Sequence, residues 1–223
     1  MNEELESVST HMLSLGLGAL AHANWHSNYT SFENDRWPEL SVLQAAHAAE
    51  ILIKARIAEE HPLLIFEQLP RSTQVDTDSL ELRHLFEKGR TVQYTDLPER
   101  LWATTGIQIP NLETYQEFGK LRNTIQHFAP PNQRDCSQET VEFIFKVIDP
   151  FINECWGLYA VDYNEDYEPY IYHVEGLIRR KIFFIVSPGV IENLKEIDLD
   201  WPDNDLEYQR EMERRFEAAR QVE

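Results

Sequence analysis

Apolar residues recur at helical spacing through most of the chain. Over residues 4–30, Leu13, Leu17 and Leu20 predict a first long helix, which Gly16 and Gly18 weaken. Trp37-Pro38-Glu39-Leu40-Ser41 opens a second, along which Val42, Ala46, Ala49, Ile53 and Ile57 repeat until His61-Pro62. This second helix also carries Ala45, Ala48 and Ala55, small side chains that let a neighbouring helix approach closely. The apolar run 62–66 reads as a short turn of helix or loop, closed by Pro70. From 71 to 110 the pattern is broken by Gly89, Gly106 and Pro110, leaving room for short helices near 79–88 and 96–104. A strong helix follows over 112–128, with Phe118, Leu121, Ile125 and Phe128 on one stripe and Pro130-Pro131 to end it. Between 138 and 159, Val141, Ile144, Phe145, Ile148, Ile152, Cys155 and Tyr159 form a broad core-facing stripe. Asp149-Pro150 interrupts that stripe, as a kink or as the start of a new helix. A further helix is expected over 167–182 and a turn at Ser187-Pro188-Gly189. Residues 196–207 hold six acids and no base, the mark of a solvated loop, and 206–222 reads as a polar helix with little apolar face.

These elements predict an all-α protein: an up-and-down bundle of four to five helices over residues 1–163, then a mostly helical C-terminal extension with an acidic loop over 164–223. With 42% hydrophobic residues, five Trp, nine Tyr and eleven Phe, 223 residues suffice for one good-sized core. The longest unbroken apolar run, Ile182-Phe183-Phe184-Ile185-Val186, is far short of the roughly twenty residues that cross a bilayer, so no membrane partner is expected. The first residues, Met1-Asn2-Glu3-Glu4-Leu5-Glu6, are acidic, where a secretory signal is basic and then apolar. Cys136 and Cys155 make no disulfide framework, which points to a reducing cytoplasm.

Charge narrows the choice of partner. The net charge is −19, with −12 carried by residues 1–163 and −7 by 164–223, so no basic arm is set apart from an acidic body. Such a chain repels polyanions at long range, and any nucleic acid must be held by a local cationic pocket.

The segment richest in chemistry is Lys120-Leu121-Arg122-Asn123-Thr124-Ile125-Gln126-His127-Phe128. Asn123 and His127 are four apart and share a helix face away from the apolar stripe, while Arg122 sits at the stripe's margin with an arm able to reach round. His127 falls in the last turn, where the negative end of the helix dipole favours imidazolium. A histidine that moves protons near neutral pH, beside a guanidinium that steadies phosphate oxygens, suits phosphoryl chemistry. On spacing alone, a surface pair or a C-terminal cap accounts for the same residues.

Arg122-Asn123-Thr124-Ile125-Gln126-His127-Phe128, followed by prolines, resembles the signature of HEPN domains. The second helix, Ala46-His47-Ala48-Ala49-Glu50-Ile51-Leu52-Ile53-Lys54-Ala55-Arg56 running into His61-Pro62-Leu63, also resembles bacterial HEPN proteins. The resemblance covers residues 5–160. It implies a HEPN-like helical bundle and a metal-independent endoribonuclease, often a toxin or antiviral-defence effector, whose site forms where two copies of the motif meet in a homodimer. On this chain His127 would be the general acid/base for attack of an RNA 2′-hydroxyl on its own phosphate. Arg122 would hold the phosphate, and Asn123 would orient the pair or bind the nucleotide. Glu50 would orient Arg122 from a strip shared with His47 and Lys54; its alternative is an intrahelical Glu50–Lys54 pair on the surface. Lys54, His47, Arg179 and Arg180 are the residues expected to meet the RNA substrate, and no cofactor or metal is implied. An antitoxin or other regulatory protein is a further expected partner. HEPN toxins restrained by a nucleotidyltransferase commonly have a tyrosine two residues after the histidine; here Phe128-Ala129-Pro130 follows. Some HEPN domains keep the fold without nuclease activity, and a non-catalytic scaffold that binds a nucleotide, or docks a protein partner on its acidic surface, is the alternative function.

Other patterns carry less. His22 and His26 share a helix face, and with His47 and Glu50 supply fragments of a metal-binding bundle, short of the Glu-x-x-His set that a di-iron site uses. Arg179-Arg180-Lys181 is the densest basic cluster, suited to guiding RNA phosphates or to pairing with the abundant acids. Tyr163, Tyr167, Tyr170 and Tyr172 can stack bases or pack the extension on the bundle. No P-loop, dinucleotide-binding glycine motif, G-x-S-x-G elbow or H-E-x-x-H is present.

Overall fold

Helices α1 (Val8–Asn28) and α2 (Trp37–Glu60) are the longest in the computed structural model, which describes residues 5, 7–76, 80–128, 134–165, 169–194, 199–202 and 205–221. α2 starts at the predicted Trp37 and stops before His61, whose Nδ1 accepts the Leu63 N–H and so caps the single 3-10 turn Pro62–Ile65. The alanines of α2 at 45, 46, 48, 49 and 55 are all buried, as their small size requires where backbones approach. The protein is mostly helical with few strands, an all-α fold. Among the described residues no helix is long and apolar enough to cross a membrane.

The chain divides into two compact units. The first holds residues 1–17 and 48–109. Here Leu52, Ile53, Ile57, Leu85, Leu97 and Leu101 form the core, and α3 (Leu82–Lys88) and α4 (Leu97–Thr105) complete the helices. Sequence periodicity missed a small antiparallel sheet, β1 (Phe66–Gln68) with β2 (Arg90–Thr91), whose first strand begins at Phe66, the last residue of the apolar 62–66 run. Gly89 lies at the turn into β2 because a Cβ there would meet the Leu85 carbonyl oxygen at 2.5 Å. The sequence reading placed the start of α3 near residue 79, which lies outside the described residues.

The second unit holds residues 18–47 and 110–223. Its main helices are α5 (Leu112–His127), α6 (Cys136–Phe143), α7 (Asp149–Trp156), α8 (Pro169–Arg179), α9 (Pro188–Asn193) and α10 (Leu206–Arg220). Phe118 of α5 stacks on Phe143 of α6 with centroids 3.8 Å apart, and Tyr115 is fully buried beside them. Pro150 does not break the helix. The chain passes from α6 to α7 through a π-helical segment, Ile144–Ile148, in which the Asp149 N–H reaches back to the Ile144 carbonyl. The stripe Val141, Ile144, Phe145, Ile148 and Ile152 is buried as its spacing predicts; Cys155 is only half-buried, and Cys136 is the buried cysteine.

Three expectations need correction. Ser187-Pro188-Gly189 is a helix start, not a free turn: Ser187 Oγ accepts the Val190 N–H at 3.1 Å and Pro188 takes the first helical position of α9. α10 does have an apolar face, with Tyr208, Met212 and Phe216 buried at intervals of four and the Tyr208 hydroxyl donating to the Ile182 carbonyl at 2.8 Å. Phe128, placed on the core stripe of α5 by its spacing, is 87% exposed, so the stripe ends at Leu121 and half-buried Ile125. The prolines read as the stop of α5 lie outside the described residues, as do Tyr167 and much of the acidic loop.

Candidate active site

α5 presents its C-terminal turns to solvent because its buried face runs out there. Tyr115, Phe118 and Leu121 are buried, whereas Asn123, Gln126, His127 and Phe128 are exposed. Thr124 Oγ1 folds back onto the Lys120 carbonyl at 3.0 Å, and Lys120 pairs with Glu117 at 2.5 Å. These local bonds occupy the neighbours of Arg122 without engaging it. Arg122 is half-buried and donates from Nη1 to Asn123 Oδ1 at 3.0 Å. Among the described residues it has no carboxylate partner, in a chain with 39 acidic side chains and 20 basic ones. His127 stands in the last turn of the same helix, about 7.5 Å further along the axis. The side-chain oxygen of Asn123 fixes the guanidinium at one end while its remaining N–H groups stay available to an oxyanion.

The other expected site residues are placed as follows. Lys54 Nζ meets Glu50 Oε1 at 2.6 Å and Thr91 Oγ1 at 3.4 Å, with the lysine side chain 9% exposed. Glu50 is therefore engaged one turn along its own helix, in a pair more buried than a surface pair. His47 is exposed one turn earlier on α2. Glu50 and Lys54 belong to the first unit, and Arg122, Asn123, His127 and His47 to the second. Of the basic triplet, Arg179 pairs with Glu175 and Lys181 with Asp205; Arg180 makes no ion pair among the described residues.

No protein-family model, curated protein or solved structure matches the chain.

The histidines of α1 have ordinary partners. His22 Nε2 lies 3.0 Å from Glu165, and His26 Nδ1 lies 2.7 Å from Gln44 Oε1. Among the described residues no group of three or more His, Cys, Asp or Glu is arranged to hold a metal ion.

Sequence reasoning missed two buried groups. Asp149 is completely buried, accepting the Ala160 N–H at 2.8 Å and the Ile185 N–H at 2.9 Å, and burial pushes its carboxyl up to about 7. His173 is also fully buried, and burial pushes its imidazole down to about 4. Asp149 could have been found from Asp-Pro at the break in an apolar stripe. His173 carries no such signal in Tyr172-His173-Val174.

Proposed function

We propose that the protein is a metal-independent endoribonuclease of HEPN type, acting through Arg122, Asn123 and His127. The observation that carries this reading is the state of Arg122: a guanidinium oriented by Asn123 and not neutralised by a carboxylate, on the same exposed helix end as a histidine. In an acidic chain, an arginine kept free of acids among the described residues is suited to an external anion.

In this mechanism a neutral His127 imidazole takes the proton of an RNA 2′-hydroxyl. The 2′-oxygen forms a bond to the adjacent phosphorus, Arg122 steadies the charge on the non-bridging oxygens, and the bond to the 5′-oxygen breaks. The leaving oxygen takes a proton from the imidazolium of the second copy. The products are a 2′,3′-cyclic phosphate and a 5′-hydroxyl. Two copies are needed because one α5 end carries a single histidine. The 87% exposed ring of Phe128, next to His127, gives the two helix ends an apolar contact to close upon. Two Arg122 side chains in one place would also supply the local cation that a net charge of −19 otherwise denies to RNA.

The role of a toxin or antiviral-defence effector, with a regulatory protein to restrain it, belongs to the same proposal. End-group analysis tests the chemistry: RNA incubated with the protein should carry 2′,3′-cyclic phosphates at new ends, and a 2′-deoxy residue at the cut position should block cleavage. The second reading, a non-catalytic scaffold of the same fold, is favoured by the acidic surface and is the outcome if intact RNA is recovered.

A further inference from the structure

Two apolar side chains of the second unit face solvent side by side. Phe183 is 44% exposed and Leu206 63% exposed, and both line one shallow groove along α10 with Glu207, Arg210, Glu211 and Arg214. The Phe183 ring is held in place although it faces water. The Tyr208 ring lies 5.0 Å from it, and the Arg215 guanidinium sits over it at 5.2 Å. Its neighbours in sequence, Ile182 and Phe184, are buried. The Tyr208 hydroxyl donates to the Ile182 carbonyl at 2.8 Å, and Arg215 Nη1 donates to the Phe184 carbonyl at 2.9 Å. A ring fixed in this way loses little freedom when something covers it.

Charge indicates what covers it. α10 holds four Glu and four Arg, so the net charge of −19 lies wholly outside this helix. Two copies of the chain repel one another over most of their surface, and a neutral face is where they can meet. Glu207, Arg210, Glu211 and Arg214 fall at i, i+3, i+4 and i+7, opposite the buried Tyr208, Met212 and Phe216. Glu211 holds both Arg214 and Arg215 at 2.8 Å, whereas Glu207 and Arg210 make no ion pair among the described residues.

The pattern Glu-Arg-Glu-Arg, spaced three, one and three, is unchanged when reversed in direction and in sign. An antiparallel second copy therefore sets an arginine against every glutamate, about a twofold axis between positions 210 and 211. Glu207 faces Arg214 of the partner subunit, and Arg210 faces Glu211 of the partner subunit. In that same register position 206 falls opposite position 215, and Arg215 lies on the Phe183 ring. Leu206 of each copy thus meets Phe183 of the other, so charges and apolar side chains call for one alignment.

We propose that α10 and the Phe183 groove form a self-association surface, occupied by α10 of a second copy lying antiparallel across a twofold axis. Contact of Leu206 with Phe183 carries the affinity, while the exposed charge pairs fix the register and turn away other chains. The contact uses none of Arg122, Asn123 and His127, so it stands if the ribonuclease reading fails. Where α5 ends also pair, two different twofold contacts join the copies into a larger assembly.

Sedimentation of the full chain at about 100 μM, a concentration suited to a small contact, tests this. Leu206→Asp should halve the mass of the wild-type assembly. Glu207→Arg and Arg214→Glu, each placing like charges across the axis, should each weaken association about tenfold or more with an unchanged circular-dichroism spectrum. Mixing these two charge variants should restore association, because each then meets its opposite in the partner; misfolding or a contact elsewhere would not produce that rescue. Should either charge variant lose its fold, Leu206→Asp decides, since that side chain is largely exposed. A wild type of monomer mass, a Leu206→Asp assembly of wild-type mass, charge variants that associate as the wild type does, or a mixture that stays apart would each overturn the proposal.

Discussion

Asn111 donates from Nδ2 to the main-chain oxygen of Lys146 at 2.8 Å. In a regular α-helix that oxygen would receive the N–H of residue 150, which is Pro150 and has none. Asn111 itself is the N-cap of α5 with a φ of 48°, a left-handed value that asparagine tolerates better than most residues. One side chain thus ties the start of the helix carrying Arg122 and His127 to the point where the neighbouring helix widens into a π turn.

This relationship makes a coupling prediction. Asn111→Ala should lower stability by about 1–2 kcal/mol in urea denaturation, from the lost hydrogen bond and the left-handed backbone. In a Pro150→Ala background an N–H becomes available to Lys146, so the same substitution should cost about 1 kcal/mol less. Equal costs in both backgrounds would show that the bond is not filling the proline's gap.

Asp149 and His173 predict opposite responses to pH. The carboxyl of Asp149 stands at about 7 when folded against an ordinary value of 3.8, so the folded chain holds a proton that the unfolded chain releases. Its contribution is complete below about pH 4 and is lost as the pH rises through about 7. His173 stands at about 4 against 6.5; its contribution is complete above 6.5 and is lost as the pH falls toward 4. Between these limits the two slopes oppose, each at most about 1.4 kcal/mol per pH unit. Asp149→Asn should therefore gain stability relative to wild type as pH rises from 4.5 to 6.5, and His173→Leu should lose it over the same interval. Urea denaturation at three pH values checks both signs.

The two glycines of α1 should respond differently to alanine. A Cβ on Gly18 meets nothing within 4 Å, so Gly18→Ala should stabilise the protein by about 0.5–1 kcal/mol through helix propensity alone. A Cβ on Gly16 would come within 2.8 Å of the Leu52 side chain in the first unit, and Gly16→Ala should stabilise less or destabilise. Thermal melts of the two variants order them, and a Gly16→Ala gain equal to that of Gly18→Ala would contradict the contact.

The long helices were legible because their periodicity reports burial directly: Val42 to Ile57 and Val141 to Ile152 are buried where the stripe requires. The limits of α2 followed from Trp37-Pro38 and His61-Pro62, since proline constrains the backbone on either side. The β1–β2 pair was invisible because three residues facing two give no alternation to read. The apolar face of α10 was hidden by its charges, since Tyr208, Met212 and Phe216 are separated by acids and arginines. At the candidate site, sequence spacing placed Arg122, Asn123 and His127 on one helix end. It did not say that Phe128 leaves the core, nor which of its two readings of Glu50 holds: the pair with Lys54 forms, more buried than a surface pair. Those outcomes depend on which surfaces meet in three dimensions, and a one-dimensional stripe carries no record of where a neighbour stops.

The proposed chemistry is tested most directly by cleavage of total RNA in excess EDTA by the purified protein beside its His127→Ala variant. The account predicts fragmentation by the wild type that survives chelation and falls by at least about a hundredfold when the imidazole is removed. RNA left intact by the wild type, or cut equally well by His127→Ala, would contradict it.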